Sequence, residues 1–216
     1  MKKDAEVIGV WGTRGSGKST RCMELVNRCD RLIVFDTIGD YRGSRKVKPL
    51  HSLRVLYAHL KENWNCGFRC ALVMNKDMDS EAMLEKLSHD LFIIQKPYYD
   101  RRDKREITLL VEELALCYPE KTLASDRQSF KQLVNVGRHY GVNIIGNSQR
   151  MSEVKKNFIG NCSQHYFLRM GADIDITNAA RYLGRDHKAA LTHMKDHHWL
   201  HLSRGIVKSG VNRRAS

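Results

Sequence analysis

The chain has 216 residues, of which 42% are hydrophobic, and its 37 Lys and Arg against 24 Asp and Glu give a net charge of +13. That length suits one large domain spanning 1–216, ending in a short basic tail at about 211–216. No apolar run approaches the roughly 18 residues of a membrane span, so no transmembrane segment is expected. The opening MKKDAEV lacks the apolar core of a signal peptide. The charge points to a polyanionic partner, nucleic acid before membrane.

In chain order, VIGVW (7–11) reads as a strand and Lys18 to about Arg28 as a helix. LIVF (32–35) is a short buried strand, and 36–49, with Gly39, Gly43 and Pro49, a loop. Residues 50–62 form a helix with Leu50, Leu53, Leu56, Tyr57 and Leu60 on one face. FRCALVM (68–74) is a strand, and Asp79 caps a helix over 80–95. ITLLV (107–111) is a strand, and a helix opened by Ser125 or Asp126 closes at Gly141. VNIIGN (142–147) is buried strand, 151–159 a short helix and HYFLRM (165–170) strand. Helices over 173–183 and 186–196 precede a strand pair within 198–209 that turns near Ser203–Gly205. Short apolar runs alternating with helices predict an α/β fold: a mainly parallel central sheet flanked by helices, with a small C-terminal strand pair.

The six cysteines, at 22, 29, 66, 70, 117 and 162, include no Cys-x-x-Cys pair. Without an export signal they read as reduced thiols. His187, His193, His197, His198 and His201 lack a thiolate pair at finger spacing and read as structural or surface histidines.

Residues 12–19, GTRGSGKS, match the pattern G-x-x-x-x-G-K-[ST] between a strand and a helix. Gly12, Gly15 and Gly17 permit backbone angles that turn successive N–H groups inward around a phosphate. The helix starting near Lys18 presents its positive end to the same anion. The expected nucleotide contacts are Gly12, Thr13, Arg14, Gly15, Ser16, Gly17, Lys18, Ser19 and Thr20, with Lys18 on the β- and γ-phosphates of ATP and Ser19 on Mg2+. Such a loop needs a second strand carrying a carboxylate. ITLLV followed by Glu112 and Glu113 fits best, the first acid holding magnesium through water and the second polarising the attacking water. The competing reading is a strand that ends in two exposed acids. Glutamate at 112, where aspartate is usual, has a longer arm.

Further motifs follow in order: NVGRHYG (135–141), the strand VNIIGN, then SQR (148–150). This set, with LIVFDTIGDY (32–41), resembles the FtsK–HerA superfamily of DNA-translocating ATPases, of the RecA-like P-loop NTPase type, over about residues 6–185. The resemblance implies that Lys18 and Ser19 bind nucleotide and magnesium, Glu113 is the catalytic base and Glu112 lies on the metal side. It implies that Gln149 is the sensor of the γ-phosphate or the water. It also implies that Arg138 is an arginine finger reaching a neighbouring subunit's nucleotide. The alternative for Arg138 is a solvated arginine, favourable near a helix C-terminus, and for Gln149 a buried strand-end amide. Asp36 reads as a loop-capping residue.

The chain's brevity resembles the minimal genome-packaging ATPases of tailless, membrane-containing double-stranded DNA viruses. That likeness implies a homo-oligomeric ring, hexamer or pentamer, around duplex DNA, with capsid or vertex proteins as further partners. It implies a place in the host cytoplasm and at the packaging vertex of the virion. KPYYDRRDKR (96–105) carries Lys96, Arg101, Arg102, Lys104 and Arg105 beside two acids and two tyrosines, the character of a phosphate-tracking DNA loop or of a solvated charged loop. Arg42, Arg45, Lys46 and Lys48 form a second basic cluster, Lys155 and Lys156 lie near the sensor, and Arg213 and Arg214 would form a nonspecific arm. The alternatives are a cellular or conjugative DNA pump, a nucleotide-gated secretion protein, and a small-molecule P-loop kinase for which 96–105 would be a lid.

Overall fold

The structure is a computed structural model that describes residues 5–121 and 127–212. The described strands are β1 (Val7–Trp11), β2 (Arg31–Asp36), β3 (Lys48–Leu50), β4 (Phe68–Val73), β5 (Ile107–Val111), β6 (Val142–Ser148), β7 (Gln164–Phe167), β8 (His198–Ser203) and β9 (Ile206–Val211). They form one sheet in the order β3-β4-β2-β5-β6-β1-β7-β8-β9. Pairing is parallel from β3 through to β7, and β8 and β9 add antiparallel. The helices are α1 (Lys18–Leu25), α2 (Leu53–Glu62), α3 (Ser80–Ile94), α4 (Lys96–Tyr99), α5 (Leu114–Cys117), α6 (Ser129–Val136), α7 (Lys156–Asn161), α8 (Asp173–Leu183) and α9 (Lys188–Thr192). None of the described helices is long and apolar enough to cross a membrane.

Both faces of the central strands are buried, as a parallel sheet requires. Successive side chains alternate between two cores. Trp11, Ile33, Phe35, Leu109 and Val111 point into the larger one, with Leu56, Leu60, Leu84, Leu87 and Phe130 from the covering helices. Val10, Leu32, Val34 and Leu110 point into the smaller one, where Cys22 and Val26 of the α1 region cover the sheet.

Most predicted elements occur where expected, with the differences at their ends. The expected loop 36–49 closes with an edge strand, β3, that continues through Leu50. Pro49 is tolerated there because an edge strand has one unpaired side. Leu50 therefore belongs to the sheet, and α2 begins at Leu53 after Ser52, whose side chain accepts the Val55 N–H at 3.3 Å. Asp79 caps α3 as its position suggested, accepting the Ala82 N–H at 3.0 Å. The expected opening residues Ser125 and Asp126 lie outside the described residues, and the helix there begins at Ser129, after Gln128. It is α6, which tightens into a 3-10 turn over Gly137–Tyr140 and stops where Gly141 takes φ 67°. The helices expected over 151–159 and 186–196 each open with a 3-10 turn before α7 and α9. The basic stretch 96–105 begins with α4, a single turn.

One buried titratable group ties β1 to β7. The Trp11 indole N–H donates to His165 Nδ1 at 3.1 Å, so the neutral imidazole must offer that nitrogen as an acceptor. Burial lowers the His165 pKa from its ordinary 6.5 to about 4. The unfolded chain takes up this proton below pH 6.5, while the native chain does so only near 4. The His165 contribution is therefore complete above pH 6.5 and is lost as pH falls to 4, reaching about 3 kcal/mol. Urea unfolding at pH 7 and at 4.5 should show a steep loss of stability in the wild type. His165→Leu should start less stable at pH 7 and show a shallower pH dependence.

Candidate nucleotide-binding site

The site lies at the carboxyl ends of β5, β6 and β1, adjacent in the sheet. Register sets its layout: Trp11 of β1 stands beside Ser148 of β6, and Val111 of β5 beside Gly146 of β6. The chain leaving β1 and the chain leaving β5 are two strand spacings apart, about 10 Å. The last residues of β6, Asn147 and Ser148, fill the gap between them.

Residues 12–19 form a loop folded back on the sheet. Gly12 has φ 158°, and a Cβ there would stand 2.7 Å from Ser16 Oγ and 2.9 Å from Leu168 Cβ. Gly15 and Gly17 take φ 77° and 97°, the left-handed region that glycine enters freely. The Thr13 N–H donates to the Arg169 carbonyl at 2.8 Å, and the Gly12 N–H to the Ser148 carbonyl at 3.3 Å. Arg14 and Gly15 form the exposed tip, Ser16 is fully buried, and Ser19 is exposed on the first turn of α1. That turn has no side-chain cap, which leaves its N–H groups and the positive end of the helix for an anion. Thr20 is half-buried on the same turn. Lys18 folds inward and donates to the Thr13 carbonyl at 3.2 Å. Burial lowers its pKa, while Glu113, Cys22 and Glu112 pull it back up.

Glu112 and Glu113 are both buried rather than splayed into solvent, so the reading of two exposed strand-end acids is set aside. Glu112 accepts from the Tyr41 hydroxyl at 2.8 Å and from the Asn147 side-chain amide. Burial raises its pKa, and these two donors oppose the rise. Glu113 takes φ 50°, a left-handed conformation that costs a non-glycine residue roughly 1 kcal/mol or more. Its backbone N–H donates to Asn147 Oδ1 at 3.2 Å. Its Oε1 accepts from Ser148 Oγ at 2.6 Å and from the Gln149 N–H at 3.0 Å. The Gln149 side chain is exposed at the mouth of the site, so it is not a buried strand-end amide.

Asp36 caps its loop, accepting the N–H groups of Gly39, Asp40 and Tyr41 at 2.8, 3.2 and 3.0 Å. That places Tyr41 over Glu112. The sequence reading missed Tyr41 and Asn147. A buried asparagine ending an otherwise apolar strand was the available signal for Asn147, since its amide must find partners. Nothing local marked Tyr41.

The residues present fit a magnesium–nucleotide complex in the following respects. The loop offers uncapped N–H groups, Ser19 exposes a hydroxyl beside them, and each Glu112 oxygen keeps an acceptor site after its one hydrogen bond.

Arg138 and the 96–105 segment lie at the far end of the sheet. Arg138 sits on the 3-10 turn before β6, exposed, with Nε 3.4 Å from His139 Nε2 and no described carboxylate paired to it. The seven residues of β6 separate it from the phosphate loop, about 20 Å of strand. The 96–105 segment precedes β5 at this same end, where Tyr99 stacks on Tyr140 with ring centroids 4.7 Å apart. It therefore cannot serve as a lid over its own chain's phosphate loop, which corrects that alternative. Much of its charge is internally paired: Lys96 and Arg102 each lie 2.9 Å from Asp100, and Arg105 lies 2.8 Å from Asp103. Arg101 and Lys104 remain exposed. Of the second basic cluster, Arg42 lies past the end of β2 and donates to the Met74 carbonyl at 3.3 Å, whereas Lys48 is the first residue of β3; Lys155 and Lys156 follow β6, and Arg213 and Arg214 lie outside the described residues.

The Asn147 links yield a test that needs no ligand. Asn147→Ala strips a donor from buried Glu112 and an acceptor from the Glu113 N–H. The expected cost is about 3 kcal/mol, read as a lowered urea midpoint with an unchanged slope.

No protein-family model matches the chain, and no curated protein matches it. Solved structures do. The genome packaging NTPase B204 from Sulfolobus turreted icosahedral virus 2, in complex with AMPPCP, superposes with a TM-score of 0.71 over 95% of this chain and 96% of that one, at 14% identity. EssC ATPases 2 and 3 from Geobacillus thermodenitrificans give 0.60 over 95% of this chain and 39% of that one, at 12% identity. The N-terminal domain of zonular occludens toxin from Neisseria meningitidis gives 0.52 over 97% and 94%, at 13% identity. Likeness at such low identity speaks to architecture, and the architecture is that of the P-loop NTPases.

Proposed function

We propose that this chain is an ATPase that uses ATP hydrolysis to move double-stranded DNA, and that its task is to package a viral genome into a preformed capsid. The observation that carries the reading is the meeting, across three adjacent strands, of an uncapped phosphate loop with a buried glutamate pair. The likeness to B204, described as a genome packaging NTPase and solved with ATP analogues, supports both halves of it.

On this reading the loop N–H groups and Lys18 hold the β- and γ-phosphates, Lys18 swinging from its resting contact on the Thr13 carbonyl. Magnesium, when bound with the nucleotide, neutralises phosphate charge, and Ser19 with Glu112 would hold it, Glu112 through water. Glu113 orients the attacking water and accepts its proton. Its strained backbone and the Ser148 and Gln149 donors fix the carboxylate in place. Gln149 presents its side chain at the mouth as the sensor.

Arg138 lies a strand length from its own chain's phosphate loop. Its role as a finger therefore requires a second subunit, and hydrolysis would depend on a ring of five or six copies. Arg101 and Lys104, at the same end, supply nonspecific phosphate contact, with Lys96, Arg102 and Arg105 available once their acid partners are exchanged for phosphate. A packaging motor of this kind works in the host cytoplasm at a capsid vertex. A cellular or conjugative DNA pump would share all of this chemistry. The small-molecule kinase reading loses its lid.

ATP hydrolysis measured with and without linear duplex DNA of random sequence tests the proposal. Wild type should be stimulated by DNA of any sequence. Lys18→Ala should lose on the order of 10²–10³ of the rate, and Arg138→Ala should lose the DNA-stimulated rate and poison wild type in mixtures. Hydrolysis indifferent to DNA, with Arg138→Ala unharmed, would overturn the motor reading.

A further inference from the structure

The C-terminal hairpin ends on the phosphate loop. The residue before β8 and the residue after β9 both bond to its backbone: the His197 N–H donates to the Ser16 carbonyl at 2.9 Å, and the Asn212 side-chain amide donates to the Gly17 carbonyl at 2.8 Å. The Asn212 N–H donates to the His197 carbonyl at 2.8 Å, closing the two strand ends into one unit. Asn212 is only 5% exposed. The fit is tight, for a Cβ on Gly17 would stand 2.6 Å from His197 Nδ1 and 2.7 Å from Asn212 Nδ2. His197 itself takes φ 65° to reach the loop.

A trans peptide is planar, so the C=O of one residue and the N–H of the next point in opposite directions. Turning the Ser16 and Gly17 carbonyls towards the hairpin therefore turns the Gly17 and Lys18 N–H groups away from it, into the hollow of the loop. Gly17 has φ 97° and no side-chain cap follows it, and among the described bonds the Ser16 carbonyl is held by the His197 N–H, with no donor from the loop itself. The Gly17 carbonyl also accepts the Arg21 N–H of α1 at 2.9 Å, so the clasp and the helix pull on one atom.

We infer that the β8–β9 hairpin is a clasp for the phosphate loop and that Asn212 is a positioning residue for nucleotide phosphate. It acts through the Gly17 and Lys18 peptides and touches no reacting atom. This rests on the nucleotide reading above. A loop freed from Asn212 still folds, but its N–H groups converge on phosphate for a smaller share of the time, and affinity falls by that share.

The test is ATP affinity by calorimetry, at a temperature where circular dichroism shows each protein fully folded. Wild type, Asn212→Ala, the isosteric Asn212→Asp, Lys18→Ala and Ile206→Ala, at the far turn of the same hairpin, would be compared. Asn212→Ala should raise the Kd and the KM for ATP about five- to tenfold, with kcat within about twofold, because Lys18 and Glu113 are untouched. Asn212→Asp, which cannot donate and adds a negative charge beside the phosphates, should raise them further. Ile206→Ala should match wild type. Unchanged affinity in both Asn212 variants, with wild type binding ATP and Lys18→Ala failing to, overturns the clasp and spares the nucleotide reading. Equal losses in Ile206→Ala and Asn212→Ala also overturn it, since the hairpin's general stability would then be responsible. Failure of wild type to bind ATP overturns both.

Discussion

A carboxylate taken out of water must be given partners, and the arrangement around Glu112 follows from that requirement. Its side chain is 1% exposed, beneath a sheet end, with Tyr41 and Asn147 donating to it. Tyr41 can do so because Asp36 gathers three backbone N–H groups and bends the loop after β2 over the site. Asn147 can do so because β6 runs between β5 and β1 and ends one residue later at Ser148. The same asparagine holds the Glu113 N–H, and the next residue holds the Glu113 carboxylate. Two acids, a tyrosine, an asparagine and a serine from three strands are thus set by one desolvation problem. Low local dielectric makes each bond in such a network strong and each missing bond costly.

The parallel sheet gives the molecule a polarity. Every strand from β1 to β7 runs the same way, so whatever follows a strand collects at one end and whatever precedes it collects at the other. The phosphate loop, both glutamates and Gln149 follow strands. Arg138 and the 96–105 segment precede them, and Tyr99 stacked on Tyr140 joins these two into one surface. A chain built this way cannot bring Arg138 to its own nucleotide without breaking β6. The topology therefore divides the proposed chemistry between the two ends of the sheet, and the finger role proposed for Arg138 is open only to the nucleotide of a second copy.

What the sequence made legible was whatever depends on spacing along the chain. The phosphate loop, the glutamate pair, the cap at Asp79 and the closing glycine at 141 are local patterns with local causes, and each lies where its pattern placed it. The capping role of Asp36 was legible for the same reason, since an acid followed by a Gly-acid turn is a short-range motif. What it hid was whatever depends on which strands become neighbours. Tyr41 lies 71 residues before Glu112 and reaches it only because β2 and β5 pair. The burial of Glu112 and Glu113 was equally hidden, because ITLLV followed by two acids reads the same whether its end faces water or a packed loop. Internal pairing in 96–105 was also beyond a count of charges: Asp100, shared by Lys96 and Arg102, and Asp103, on Arg105, engage three of the cations that made the stretch look like a polyanion site.

The hairpin shows how a feature can be correctly placed and still have its consequence missed. A terminal strand pair within 198–209 was expected as an addition to the sheet edge. Pairing β8 antiparallel to β7 brings the open end of the hairpin, not its turn, to the carboxyl end of β1. The turn at Arg204–Gly205 then points to the opposite end, beside the start of β7 at Gln164. Strand direction alone thus decides that His197 and Asn212, rather than residues 204 and 205, face the phosphate loop. A parallel β8 would have left the Ser16 carbonyl to water and the Gly17 carbonyl with the Arg21 N–H alone. The reversal of strand direction at this edge therefore bears on the site itself, because it brings two further hydrogen-bond donors, the His197 N–H and the Asn212 amide, to the backbone of a glycine-rich loop.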